Sequence, residues 1–506
     1  MSEAAQRLTA IYHKVALSLQ GFRRSKLLSN ATIYIGGTML QKAFGFLLIP
    51  LYTRYLTPAD YGIIGLGAAI SGVLALLIGL GIYSGVARMF YDYLDDPVTL
   101  RRYISTNSLF LFGVTVLSVT MLLMFGQPVW DSLTSGQVAF KPYVQLMVLG
   151  AGVDALAQLP LVLYRTEQRA AAFVIAQISM FVLRAGAVIY FVVYLGMGAA
   201  GQMTGDLMAS AAVAGVLLLL LARRYGTLHI HRDYLAMTLA YSLPLLPHLL
   251  SAWALGAIDR LMLESRVSLT ELGLYNLGYQ LALVMNVLIF SFNQAYSPYY
   301  YGLMKTRQQP EFIITRIIRL FVAGMGALCL VGILFAAEFV RWIAPIHYAG
   351  AEVYVPPILF GYLLLGLYNF SIAPIFYYKH TRIVPQITLV AAALNIVLNL
   401  WWIPLIGALG AAWATACAYG LSFSLAFIRG RKYQKIPLPY PSLAVAVGLV
   451  FMGVLYAIYV APLIQVPISA LALKAVILLV YAIYAYLWLV RPVLATSRFG
   501  KEGLGA

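Results

Sequence analysis

The stretch YLTPADYGIIGL at residues 55–66 occurs a second time, altered, as RVSLTELGLYNL at 266–277. Thr57 pairs with Ser268, Asp60 with Glu271, and Gly62 with Gly273. Further on, Tyr83-Ser84 pairs with Tyr296-Ser297. The turn GMGAAG at 196–201 pairs with GALGAA at 407–412, each opening the last helix of a six-helix unit. Matches in constant order at an offset near 212 residues predict an internal duplication. Six spans per copy is an even number, so both copies start on the same side and form two parallel bundles.

Outward from that repeat the chain is apolar. Of its 506 residues 62% are hydrophobic and 10% charged, where a soluble domain carries about 25% charge. A water-facing globular surface is excluded. The net charge of +17 would suggest nucleic acid in a soluble protein. Here the cations fall in short gaps between apolar runs, so no nucleic-acid partner is expected. Cys329 and Cys417 lie inside such runs and form no disulfide framework.

A membrane span needs about 20 apolar residues. Such runs centre on 31–54, 62–90, 104–126, 143–164, 171–195, 199–222, 235–258, 272–300, 313–341, 353–378, 383–404, 407–428, 442–463 and 466–490. The expected fold is therefore all-α and polytopic, with 14 transmembrane helices. Strands are not expected, because lipid forbids open sheet edges. The divisions are 1–28, a basic amphipathic N-terminus; 29–225, an N-lobe of helices 1–6; 226–430, a C-lobe of helices 7–12; 431–491, helices 13–14; and 492–506, a tail. No gap is long enough for a separate domain.

Counting Lys and Arg orients the chain. On the N-terminal side fall 25 of them, on the other side Arg54, Lys141, Arg260, Arg266 and Arg341, and inside spans Lys42, Arg88, Arg184 and Lys474. By the positive-inside rule both termini are cytoplasmic.

Charges at membrane depth are expensive and mark cavities or partners. Lys42, on a stripe with Gln41, and Arg184 in helix 5 are candidate cations of a hydrated cavity. Arg88 at the end of helix 2 and Arg260 at the outer mouth join them. Asp154 in helix 4, Asp206 in helix 6, Asp259 and His248 in helix 7 are candidates for proton or sodium coupling; Asp154 and Asp206 have a static salt bridge with Lys42 or Arg184 as the rival reading, while Asp259 and its neighbour Arg260 point apart and need not pair. Tyr279, Asn286 and Asn293 recur at seven-residue steps in helix 8, and Asn395 and Asn399 line helix 11. Amides and aromatics on one face suit sugar hydroxyls and ring stacking; they equally suit helix–helix hydrogen bonding. No Walker sequence, metal-ligand spacing or nucleophile elbow occurs, so no enzyme, catalytic residue or metal is expected. Two lobes around a cleft is a transporter architecture.

RYLTPADYGIIGLGAAISG, GIYSGVARMFYDY and ELGLYNLGYQLALVMNVLIFSFNQAYSPYY resemble the bacterial polysaccharide-transport (Wzx-type) flippases. These belong to the multidrug/oligosaccharidyl-lipid/polysaccharide exporter superfamily. Leu56, Pro58, Tyr61, Gly62 and Arg88 carry the most specific part of the likeness. The resemblance implies a multi-pass protein of the bacterial inner membrane that works as a monomer among membrane lipids. Its cargo would be a polyprenyl-pyrophosphate-linked oligosaccharide, moved from the cytoplasmic to the periplasmic leaflet by alternating access. The product would feed polymerase and assembly proteins of O-antigen, capsule or exopolysaccharide. A lipid II flippase is the alternative, and a membrane polymerase or glycosyltransferase a more distant one.

Overall fold

The computed structural model describes residues 46, 48–227, 229–306, 310–435, 439–464 and 466–494. Among them are thirteen helices long and apolar enough to cross a membrane, and no strand. These thirteen coincide one for one with predicted spans 2–14. Most of span 1, with Gln41 and Lys42, lies outside the described residues, as do 1–28 and 495–506.

The N-lobe contains α1 (Ile49–Tyr55), α2 (Pro58–Gly79), α3 (Ile82–Met89), α4 (Pro97–Leu133), α5 (Gln145–Thr166), α6 (Ala170–Val188) and α7 (Gly198–Tyr225). Span 7 is broken into α8 (Arg232–Ser242) and α9 (Leu246–Glu264). The C-lobe continues with α10 (Leu269–Thr306), α11 (Pro310–Leu334), α12 (Ala336–Ile343), α13 (Val355–Tyr377), α14 (Ile383–Ile406) and α15 (Ala408–Gly430). Last come α16 (Tyr440–Leu455) and α17 (Pro467–Tyr484).

Prolines act unevenly on these helices. Pro244 lies in the break in span 7 and Pro247 in the first turn of α9, where a missing N–H keeps the helix from running straight through. Pro160, Pro298 and Pro374 sit inside helices that continue past them, as neighbouring groups allow in a membrane bundle. Below the break, α8 packs on α3 and α4 of the N-lobe; the hydroxyls of Tyr103 and Thr238 lie 2.9 Å apart there. Above it, α9 packs on α14 and α2.

The duplication is visible as a repeated joint. Thr57 and Asp60 form a capping box at the start of α2, with N–H bonds of 3.0 and 3.2 Å. The other oxygen of Asp60 accepts from Ala199 N–H, at the start of α7, at 3.1 Å. In the C-lobe Ser268 Oγ accepts from Glu271 N–H at 3.2 Å, and Glu271 accepts from Ala408 N–H, at the start of α15, at 2.8 Å. Each acid thus satisfies a free amide at a helix start, where negative charge is favoured. Gly198 and Gly407 precede the capped amides with φ of +55° and +61°, a region costly for other residues. The turn register is corrected accordingly: Gly198, rather than Gly196, corresponds to Gly407.

The paired Gly62 and Gly273 meet where α2 crosses α10. A methyl group on Gly273 would fall 1.7 Å from the Pro58 carbonyl oxygen, and one on Gly62 2.3 Å from that of Leu269. Only glycine permits this contact. At the same end, Ser135 and Gln137 of the N-lobe donate to the buried Glu264 side chain and carbonyl at 2.7–3.2 Å.

Candidate functional site: a chain of polar cavities in the N-lobe

Three cavities share walls. One of about 810 Å³ opens at the basic end of the bundle, between Tyr83, Tyr91, Gln158, Arg165 and Leu249. It meets a central cavity of about 370 Å³ at Gly72 and Asp154. The central cavity is walled by α2, α5 and α7, with Tyr52, Arg184 and Gln280 completing it. A lateral cavity, also about 370 Å³, shares Tyr52, Arg184, Gln202, Asp206 and Gln280 and reaches Phe46, Val284 and Asn286. The polar space therefore lies inside the N-lobe bundle, closed on one side by α10, where Tyr61 donates to Gln280 at 2.5 Å.

Helical spacing explains the wall. Gln202, Asp206 and Ser210 are four residues apart on α7, so they face one way, and all three line the central cavity. Arg184 of α6 reaches across to them. Its Nε lies 2.8 Å from Asp206 Oδ1 and an NH2 donates to Ser210 at 3.2 Å. Both side chains of the pair stay about one-third exposed within the cavity. Asp154, on α5, lines the same space and has no cation within ion-pair distance among the described residues.

The other expected site residues fall elsewhere, and the reasons are physical. Arg88 is corrected from cavity to surface: it pairs with Asp92 one turn on at 2.8 Å, with both side chains at least half exposed. Arg260 is corrected from outer mouth to packed interior. It is buried, 3.1 Å from Asp259 Oδ1, 3.3 Å from Asn276 Oδ1, and 4.2 Å from the Tyr279 ring centre. Asp259 also accepts from Tyr275, so this pair is a strut. Asn395 and Asn399 are fully buried and bonded to each other at 3.1 Å. His248 lies 3.1 Å from the Thr388 hydroxyl, and Asn293 accepts from Ser297 at 3.3 Å. Lys474, the in-span cation outside the duplicated lobes, is buried against Glu338 and the Phe335 ring. In helix 8 only Asn286 of the heptad line reaches a described cavity. A seven-residue step drifts only about 20° around a straight helix, so the three keep one face but stand about 10 Å apart along it, and Tyr279 lies in the core.

Tyr52, Tyr61, Gln280 and Arg165 were not legible as site residues. Arg165 counted only toward topology, and Gln280 stands one position off the face chosen for helix 8.

Residues 27–304, more than half of the chain, match the family described as polysaccharide biosynthesis protein. The chain belongs to that family. Within it, the chain is 21% identical over 380 residues to the Lsg locus putative protein 1 of Haemophilus influenzae, covering 73% of this chain and 90% of that one. Over 198 residues it is 26% identical to the lipid III flippase of Escherichia coli K12, covering 39% and 47%. Among solved structures, the inward closed conformation of the lipid II flippase MurJ matches 90% of this family member and 98% of its own chain, with a TM-score of 0.70 at 11% identity. An inward-facing multidrug resistance MATE family transporter of the MOP superfamily matches 79% and 97%, with a TM-score of 0.59 at 16% identity. The family match bears out the resemblance to polysaccharide-transport proteins, and the likeness in shape bears out the fold.

Proposed function

We propose that this polysaccharide biosynthesis protein is a flippase that carries a polyprenyl-pyrophosphate-linked oligosaccharide from the cytoplasmic to the outer leaflet of a bacterial inner membrane. Its basic end, with both termini, faces the cytoplasm. The observation that carries the reading is the run of cavities from Arg165 through Asp154 to Arg184, Asp206 and Asn286, a polar route at membrane depth in a chain of this family. A diphosphate and many hydroxyls cannot enter hydrocarbon unaided. Along this route Arg165 meets the head group first and Arg184 receives it, exchanging Asp206 for the phosphate; Lys42 is a further cation that the sequence offers. Gln202, Gln280 and Asn286 offer amides to the glycan, and the isoprenoid tail stays in lipid beyond Phe46 and Val284. Asp206 and Asp154 are the groups through which proton or sodium coupling acts. O-antigen, capsule or exopolysaccharide assembly is the destination, with the polymerase as neighbour and the monomer as the working unit.

The likeness to a named lipid III flippase, at 26% identity, supports a non-peptidoglycan glycan lipid over lipid II, because the MurJ match rests on shape at 11%. The test is reconstitution of the full chain in proteoliposomes loaded with polyprenyl-pyrophosphate-linked oligosaccharide. The glycan should become accessible to a membrane-impermeant lectin or glycosidase on the far leaflet. Vesicles no faster than protein-free controls, with the protein demonstrably folded, would dismiss the reading.

A further inference from the structure

Asp154 stands at the one place where the basic-end and central cavities share a wall. Around it, the described elements present few charges. On α5 itself Gln158 and Arg165 lie below. From α3 comes Tyr83, whose hydroxyl donates to the Ala155 carbonyl at 2.9 Å, and from the turn after it Tyr91, which donates to the Thr166 carbonyl. From α2 come Ser71 and Gly72 with the apolar Ala68, Ala75 and Leu76; α4 offers Thr115 and Val119 at Gly152. Beyond the junction Arg184 is held by Asp206 at 2.8 Å, so that pair contributes no net charge. From α9 the junction receives Leu249, while His248 is engaged by Thr388. Among the described residues the path from the basic end therefore runs cation, anion, neutral pair.

We propose that Asp154 is an electrostatic gate between the two cavities. Ionised, it repels an anionic head group that has reached Arg165. Protonated by solvent water in the wide basic-end cavity, it becomes a neutral hydrogen-bond donor and lets the phosphate through to Arg184. The inference rests on the lipid-pyrophosphate reading for its cargo, and it ties passage of each head group to the uptake of a proton at one named carboxyl. Clefts lined by one sign of charge change the local concentration of an ion by about 10–10³-fold, and a single carboxylate at the junction acts at the low end of that range.

Two measurements on the full chain test it. In proteoliposomes, glycan-lipid flipping by the wild type should quicken by about tenfold as pH falls from about 8 to about 6. Asp154→Asn should be fast and flat across that range, while Asp154→Glu keeps a slope. A wild-type slope in Asp154→Asn, or silence at every pH in a folded, inserted variant, overturns the gate. The second measurement needs no cargo. Ser71 lines the central cavity; with Cys329→Ala and Cys417→Ala as background, Ser71→Cys is labelled from the basic end by cationic and anionic methanethiosulfonates. The cationic reagent should win, and adding Asp154→Asn should cut its advantage about tenfold. An unchanged ratio overturns the proposal. A changed ratio without any glycan-lipid flipping by the wild type would instead reject the cargo and leave the gate standing.

Discussion

Two arginine–aspartate pairs sit at membrane depth, one in each lobe, and they do opposite things. Arg184–Asp206 lies 2.8 Å apart with side chains 35% and 31% exposed to open cavities. Asp259–Arg260 lies 3.1 Å apart with side chains 3% and 9% exposed, enclosed by Tyr275 and Tyr279 and tied to Asn276. Asn276 in turn donates to the Tyr61 carbonyl of α2 at 3.2 Å. The C-lobe pair is thus spent on joining α9, α10 and α2. The N-lobe pair faces space into which another anion fits. An intramembrane charge is a reliable sign of importance, and its surroundings decide whether the importance is mechanical or chemical.

The largest effect that tests this contrast is on stability. Arg260→Ala should leave Asp259 buried and unpaired and cost about 3–5 kcal/mol, read as a large drop in thermal unfolding temperature in detergent. A shift no bigger than that of a surface control would show the C-lobe pair is not a strut. Arg184→Ala should behave in reverse. Its stability loss is expected below about 1 kcal/mol, since the pair is partly solvated. Flipping should fall by roughly tenfold or more, the value of one lost charge-assisted contact of about 1.5–3 kcal/mol. Normal flipping by Arg184→Ala at matched insertion would erase the distinction from the functional side.

Smaller effects sharpen it. Asn395 Nδ2 and Asn399 Oδ1 are buried without partners among the described residues, so joint replacement by leucine removes both orphaned groups. The expected stability lies within about 1.5 kcal/mol of wild type, with flipping retained. A large loss of flipping without unfolding would give helix 11 a role in the site. Arg88→Ala should do least, within about 0.5 kcal/mol and with unaltered flipping, because its pair with Asp92 is exposed. A transport defect there would return Arg88 to the cargo path.

Much of the architecture was legible because apolar length and an ordered repeat are one-dimensional signals. The pairing of Asp60 with Glu271 and of Gly62 with Gly273 corresponds to repeated joints in space. Polar lines at four-residue spacing also read well: Gln202, Asp206 and Ser210 share one wall. What failed was orientation between helices. Arg260 and Arg184 look alike along the chain, and nothing local announces that Tyr275 and Tyr279 close over one while a cavity adjoins the other. Arg165 was missed because a cation at a helix end serves topology whether or not a cavity opens beside it.

The acids at the starts of α2 and α10 carry one more consequence. Each clasps the first turn of its own helix to the first turn of the last helix in the same lobe, Ala199 in one and Ala408 in the other. A strap of this kind ties two rods together at one rim: α2 cannot part from α7 there, nor α10 from α15. Whatever displacement accompanies a transport cycle is thereby pushed onto the seam between the lobes, where two bare glycines touch and the bonds of Gln280 and Asn276 to Tyr61 and of Glu264 to Ser135 have to be exchanged.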